Sequence, residues 1–152
     1  ISDRFNDLSN AVRINNNANF FTAPANIYFY SQNSSVISWI KLNGCGDNPR
    51  FIDFANGPAT DNVFIYITPS CNPGAGIFNG ASVTFCVNAA STLLINRWYH
   101  IAAVFTGPNI KVYINGNKVA EIDGHSIQVK NKTISYIGKS NFNVNPSKIK
   151  IQ

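Results

Sequence analysis

The chain has 152 residues, 45% of them hydrophobic and only 12% charged, with a formal net charge of +5. That length is one domain, able to bury a core without help from metals or cross-links. It excludes a membrane-spanning helix, since no apolar run approaches the ~18 residues such a span needs.

The first nine residues are polar and are expected to form a loose edge or linker. Ile1-Ser2-Asp3-Arg4 lacks the charged and apolar regions of a signal peptide, and the chain is expected to be a mature or excised segment. Ala11–Ile14 reads as a first short strand and Phe20–Thr22 as a second. Ile27–Tyr30 is strongly β-favouring and is expected to be a third. Val36–Leu42 follows, with Ile37, Trp39 and Lys41 on one face and Val36, Ser38, Ile40 and Leu42 on the other. Asn43–Pro49 carries every loop signal. Phe51–Phe54, Val63–Thr68, Val83–Val87 and Leu93–Ile95 read as further strands, with Asn72–Ala81 as a Gly- and Pro-containing loop.

The stretch from Asn96 to Glu121 organises the rest. Trp98–Phe105 is a run of mostly apolar residues, expected to be a central strand covered on both faces with Trp98 in the middle of the slab. Thr106–Asn109 is turn chemistry. Ile110, Val112 and Ile114 alternate with Lys111 and Tyr113. Asn115-Gly116 is the strongest short hairpin signal, because a type I′ turn needs positive φ at both central residues. Lys118–Ile122 returns, and Ile127–Val129, Thr133–Ile137 and Ile149–Ile151 complete the set. No amphipathic helix of ten or more residues survives, so the expected fold is all-β: two antiparallel sheets packed as a sandwich.

Charge is uneven. Residues 1–75 hold four basic and five acidic groups, whereas residues 76–152 hold eight and two. Lys130, Lys132, Lys139, Lys148 and Lys150 dominate the end, a candidate patch for sulfated glycan or another polyanion, with an ordinary solvated face as the plainer reading. Nucleic acid is not expected, for want of a base-reading helix or an aromatic-rich basic motif. The abundant asparagines suit a secreted, glycan-facing surface and equally an A/T-rich genome. Asn33-Ser34-Ser35 and Asn131-Lys132-Thr133 are glycosylation sequons in loops. Of the three cysteines, Cys71 and Cys86 flank the 72–81 loop and are expected to staple its base; Cys45 with Cys71 is the alternative, and free buried thiols a third. Tyr28, Tyr30, Tyr66 and Tyr113 are candidates for stacking on sugars. His100 and His125 lack any partner motif for nucleophilic catalysis.

W-Y-H-I-A-A-V-F, a short turn, then I-K-V-Y-I-N-G-N-K-V resembles the core of laminin-G-like and pentraxin-like domains of the concanavalin-A-like superfamily. Ser38–Lys41, Arg50–Phe54, Asp61–Ile65 and Tyr136–Ser140 resemble its other strands in order, over about residues 10 to 142. The resemblance implies a jelly roll in a secreted or cell-surface protein. It implies an extracellular module that recognises glycans or proteins, or a structural unit of a fibre or adhesin that self-assembles. It also implies a candidate calcium site at Asp61 and Asn62, a pair with hard oxygen ligands; an Asn/Asp turn before Val63, its side chains bonding local backbone, is the alternative. Glycosidase relatives use an E-x-D-x-x-E strand; Glu121-Ile122-Asp123 supplies half, but Ser126 stands where the second glutamate belongs, so catalysis is not expected. The family's late aspartate falls on Ser147 and its tail is missing, so the end reads as divergent or truncated.

Overall fold

The structure is a computed structural model that describes residues 2–8, 10–15, 19–31, 33–81, 84–124, 126–142 and 148–151, with backbone alone at 15, 84–85 and 148–151. The expectations placed on Val83, His125, Asn143 and Ser147 fall outside it.

The alternating pattern produces twelve strands: β1 (Val12–Asn15), β2 (Phe21–Ala23), β3 (Ser34–Leu42), β4 (Arg50–Ala55), β5 (Val63–Ile67), β6 (Pro73–Phe78), β7 (Thr84–Asn88), β8 (Trp98–Thr106), β9 (Asn109–Ile114), β10 (Asn117–Ile122), β11 (Ile134–Ile137) and β12 (Lys148–Ile151). They form two six-stranded sheets, β1-β12-β3-β8-β9-β10 and β2-β11-β4-β5-β6-β7, and every pairing is antiparallel. The inner faces meet in one core. Ile40, Leu42, Ile101, Ala103, Phe105, Ile110 and Val112 come from the first sheet, and Phe51, Val63, Ile65, Ile67, Ala75 and Ile77 from the second. Side chains of opposite phase face outward, as the period of two requires.

Two signature turns have plain physical causes. Asn115 and Gly116 have φ of 49° and 83°, the two positive values of the I′ hairpin. Gly138 has φ of 84°, and a Cβ there would lie 2.1 Å from Ile14 Cδ1. The "I-G" pair ending β11 is therefore a place where β1 packs on bare backbone.

Three expected strands are not strands. Residues 27–30, 93–95 and 127–129 each cross from one sheet to the other, so no neighbour strand lies beside them. Each sends one apolar side chain into the core: Phe29, Leu93 and Ile127, at 4%, 2% and 2% exposure. The β-favouring composition reflects that plug, not a ladder. Conversely, Asn72–Ala81 is no loop, because most of it is β6. Pro73 takes the strand's first position, and a Cβ on Gly74 would lie 2.8 Å from Tyr66 Cζ. Pro and Gly mark a strand start and a close approach here.

That strand also decides the disulfide. Cys86 on β7 pairs with Gly76 in the middle of β6, five residues beyond Cys71. At ~3.3 Å per residue the two cysteines stand about 17 Å apart, beyond the reach of a bridge. Cys71 bonds instead to Cys45, with Cα atoms 5.2 Å apart, and Cys86 is a half-buried free thiol. The bridge closes a separation of 26 residues, worth about 3.5 kcal/mol in the chain-entropy account.

Trp98 is a further correction. β8 is central in its sheet, but Ile101, Ala103 and Phe105 are the inward side chains. Trp98 and His100, in the opposite phase, lie half-buried on the outer face, and no third layer covers it among the described residues.

Candidate functional site

Register places four side chains in a block on that outer face. Trp39 of β3 pairs with His100 of β8, and Lys41 pairs with Trp98. All four are half-buried, whereas Ile40 and Leu42, in the alternate phase, have no exposure. Trp39 and His100 rings stand 5.4 Å apart at 60°. Asn115 fixes one edge: its N–H donates to the His100 carbonyl at 2.8 Å, and its Oδ1 accepts the His100 N–H at 2.9 Å. The I′ hairpin is thus tied across to β8. Trp39, Trp98, His100 and Asn115 line an open depression of about 540 Å³. Arg4 borders it, its guanidinium 4.7 Å from the Trp39 ring and 4.0 Å from Phe5. The N-terminal residues that bring it there are folded into a turn, with Asp3 4% exposed and its Oδ1 accepting the N–H groups of Phe5 and Asp7.

The arrangement offers two large aromatic faces beside hydrogen-bonding groups on a sheet that holds them still. Such a surface can stack on an apolar ring face and bond its polar rim. The sequence reading missed both tryptophans as ligand groups. The signal was available: Trp39 shares a phase with Lys41, and Trp98 with His100. The tyrosines proposed instead are scattered. Tyr66 is buried, its hydroxyl bonded to Asn88 Oδ1, and burial, the largest cause, raises its pKa. Tyr28 packs on Phe54 at 4.6 Å, Tyr30 is 72% exposed, and Tyr113 is half-buried on β9.

Asp61 and Asn62 precede β5, but they do not fit a calcium ion. Asp61 Oδ1 accepts Lys130 Nζ at 2.7 Å and the Gly80 N–H at 2.7 Å, and its Oδ2 accepts Asn56 Nδ2 at 3.3 Å. Lys132, 2% exposed, donates its ammonium to the Asp61 carbonyl. Asn62 Nδ2 donates to Asp53 Oδ1 at 2.8 Å. The remaining buried acceptor, Asn62 Oδ1, has no hydrogen bond among the described residues. One free amide oxygen beside two ammonium groups is far from the six to eight oxygens calcium takes. No cluster of three or more His, Cys, Asp or Glu side chains occurs among the described residues.

The five lysines do not form one patch. Lys130 and Lys132 meet at Asp61, whereas Lys139 Nζ lies 4.2 Å from the Phe20 ring. Lys148 and Lys150 belong to β12 in the other sheet. The sequon residues Asn33 and Asn131 are exposed, and Asn33 Oδ1 accepts the Gly107 N–H at 3.0 Å.

Burial pulls the Lys132 ammonium down to about 8, with Lys130 adding repulsion against the opposing pull of Asp61. The folded value lies below the unfolded one, ~10.4, so between them the unfolded chain binds more protons and stability rises with pH. The urea midpoint is expected to rise from pH 7.5 to 9.5, and Lys132→Met to flatten that part of the profile. A midpoint equally pH-dependent in the variant would contradict it.

Glu121 lies on edge strand β10, its carboxylate held by Lys118 and, at 3.5 Å, by Lys111. The Lys118 hydrogen bond leads the causes that lower its pKa. A general acid in glycoside hydrolysis needs the opposite shift.

A family profile described as the concanavalin A-like lectin/glucanases superfamily matches residues 14–151. No curated protein matches the sequence. Among solved structures, domain 4 of AbnA, a GH43 extracellular arabinanase from Geobacillus stearothermophilus in complex with arabinotriose, is similar at TM-score 0.69 and 17% identity, over 99% of this chain and 78% of that one. The Ruminococcus gnavus IT-sialidase CBM40 bound to α2,6 sialyllactose is similar at TM-score 0.68 and 10% identity, over 93% and 88%. A heptameric SAP-like pentraxin from Limulus polyphemus is similar at TM-score 0.56 and 18% identity; the match covers 86% of this chain but only 64% of the pentraxin.

Proposed function

The chain belongs to the concanavalin A-like lectin/glucanases superfamily, and we propose that it is a non-catalytic carbohydrate-recognition module acting outside the cell. The observation that carries this reading is the outer-face block of Trp39, Lys41, Trp98 and His100. Sugar rings present an apolar face and a polar rim, and the block offers the complement of each. The arabinotriose and sialyllactose held by two similar folds support the class of ligand. The Cys45–Cys71 bridge suits an oxidising compartment. The lysine clamp on Glu121 argues against hydrolysis, and the ammonium groups around Asp61 argue that binding needs no calcium.

Binding to immobilised neutral and acidic oligosaccharides, with and without EDTA, tests the reading. Binding that EDTA leaves unchanged is expected. Silence across all sugars would remove the lectin reading, and turnover of β-glucans lost in Glu121→Gln would overturn the non-catalytic one.

A further inference from the structure

We infer that the ligand is an acidic polysaccharide, lying across a cationic row that runs into the Trp98 platform; this rests on the platform reading above. The row follows from register. Arg13 of β1 pairs with Lys150 of β12, Lys150 with Lys41 of β3, and Lys41 with Trp98 of β8. Four neighbouring strands therefore set three basic residues and a tryptophan side by side, over three strand spacings or about 14 Å. Ile14, Ile40 and Leu42 have no exposure, so the alternate positions Arg13 and Lys41 belong to the outer face. Arg4, over Trp39, adds a cation on the far side of the same block.

Directly opposed like charges destabilise a strand pair, yet no ion pair found among the described residues involves Arg13 or Lys41. The three carboxylates that form ion pairs among the described residues do so elsewhere: Asp53 with Arg50, Asp61 with Lys130, and Glu121 with Lys111 and Lys118. A sugar polymer bearing carboxylates or sulfates would neutralise the row while one ring stacks on Trp98. Uronate and sulfate share this chemistry.

Calorimetry with polygalacturonate, heparin and neutral arabinan separates the sources. Acidic polymers are expected to bind more tightly than arabinan, and to lose the advantage near 1 M salt, where screening acts over ~3 Å. The Arg13→Gln/Lys150→Gln double variant, which leaves the platform block intact, is expected to lose about tenfold for acidic polymers, two charge contacts' worth, and nothing for arabinan. Its thermal midpoint is expected to match or exceed the parent's, which shows it folded. Binding that falls with Trp98→Ala but ignores the double variant would overturn this inference and leave the platform standing. Indifference to both changes would overturn both. Equal affinity for single-stranded polynucleotide would overturn the ligand class.

Discussion

Trp98→Ala is expected to weaken glycan binding about 30-fold, the equivalent of ~2 kcal/mol for a stacked ring taken from water, with only a small change in thermal midpoint. The two effects separate because of where the side chain sits. Trp98 is half-buried on the outer face, while the core beneath β8 is built from Ile101, Ala103 and Phe105. Removing the indole deletes a wall of the open depression and leaves the sandwich interior filled. Trp39→Ala is expected to act in the same direction, with the loss shared by His100, whose ring it contacts. Calorimetry on the parent and the variant, paired with thermal unfolding, checks both halves. A variant that unfolds much earlier would show that Trp98 supports the fold, and one that binds normally would show that sugars go elsewhere.

Phe105→Ala should do the reverse. Phe105 is 1% exposed and packs against Phe29, ring centroids 6.3 Å apart. Phe29 is the plug that the crossover ahead of β3 drives between the sheets. Truncation opens a cavity and frees that plug, at a cost of about 3–5 kcal/mol, a large share of the ~5–15 kcal/mol that holds a typical domain folded. Urea unfolding is expected to show a midpoint shift of that size. Any variant that remains folded at low temperature is expected to bind glycan with the parent's affinity, because the outer face does not depend on the ring itself. A shift under 1 kcal/mol would mean that the sheets close over the gap.

The contrast between these residues shows what was legible in the sequence and what was not. The residue pattern identified eleven of the twelve strands, all but β6, because a half-buried strand must write its two faces into its residues. It also put Ile37, Trp39 and Lys41 on one face. The inference that failed was about which face Trp98 takes. A long apolar run reads as buried on both sides, yet β8 keeps the period of two with Trp98 and His100 outward. Segments 27–30, 93–95 and 127–129 failed for a related reason, since an apolar plug in a crossover uses the same residues as a strand. β6 was hidden by Pro73 and Gly74, whose local meaning is a turn until Tyr66 and Asn88 are known to press on them. With β6 taken for a loop, the cysteines were mispaired. The calcium expectation came through the resemblance, and Lys130 and Lys132, about 70 residues from Asp61 in sequence, are what makes the site unsuitable. The cationic row was equally out of reach: Arg13, Lys41 and Lys150 are brought together only by β12 lying between β1 and β3.

The chain has two tryptophans, so its ¹⁵N–¹H spectrum carries two indole signals, which Trp98→Phe assigns. Titration with an acidic oligosaccharide is predicted to move both indole signals and the His100 and Asn115 amides, while the amides of Ile65 and Ile77 in the opposite sheet stay in place. Saturable binding that leaves both indoles unmoved would contradict the outer-face platform.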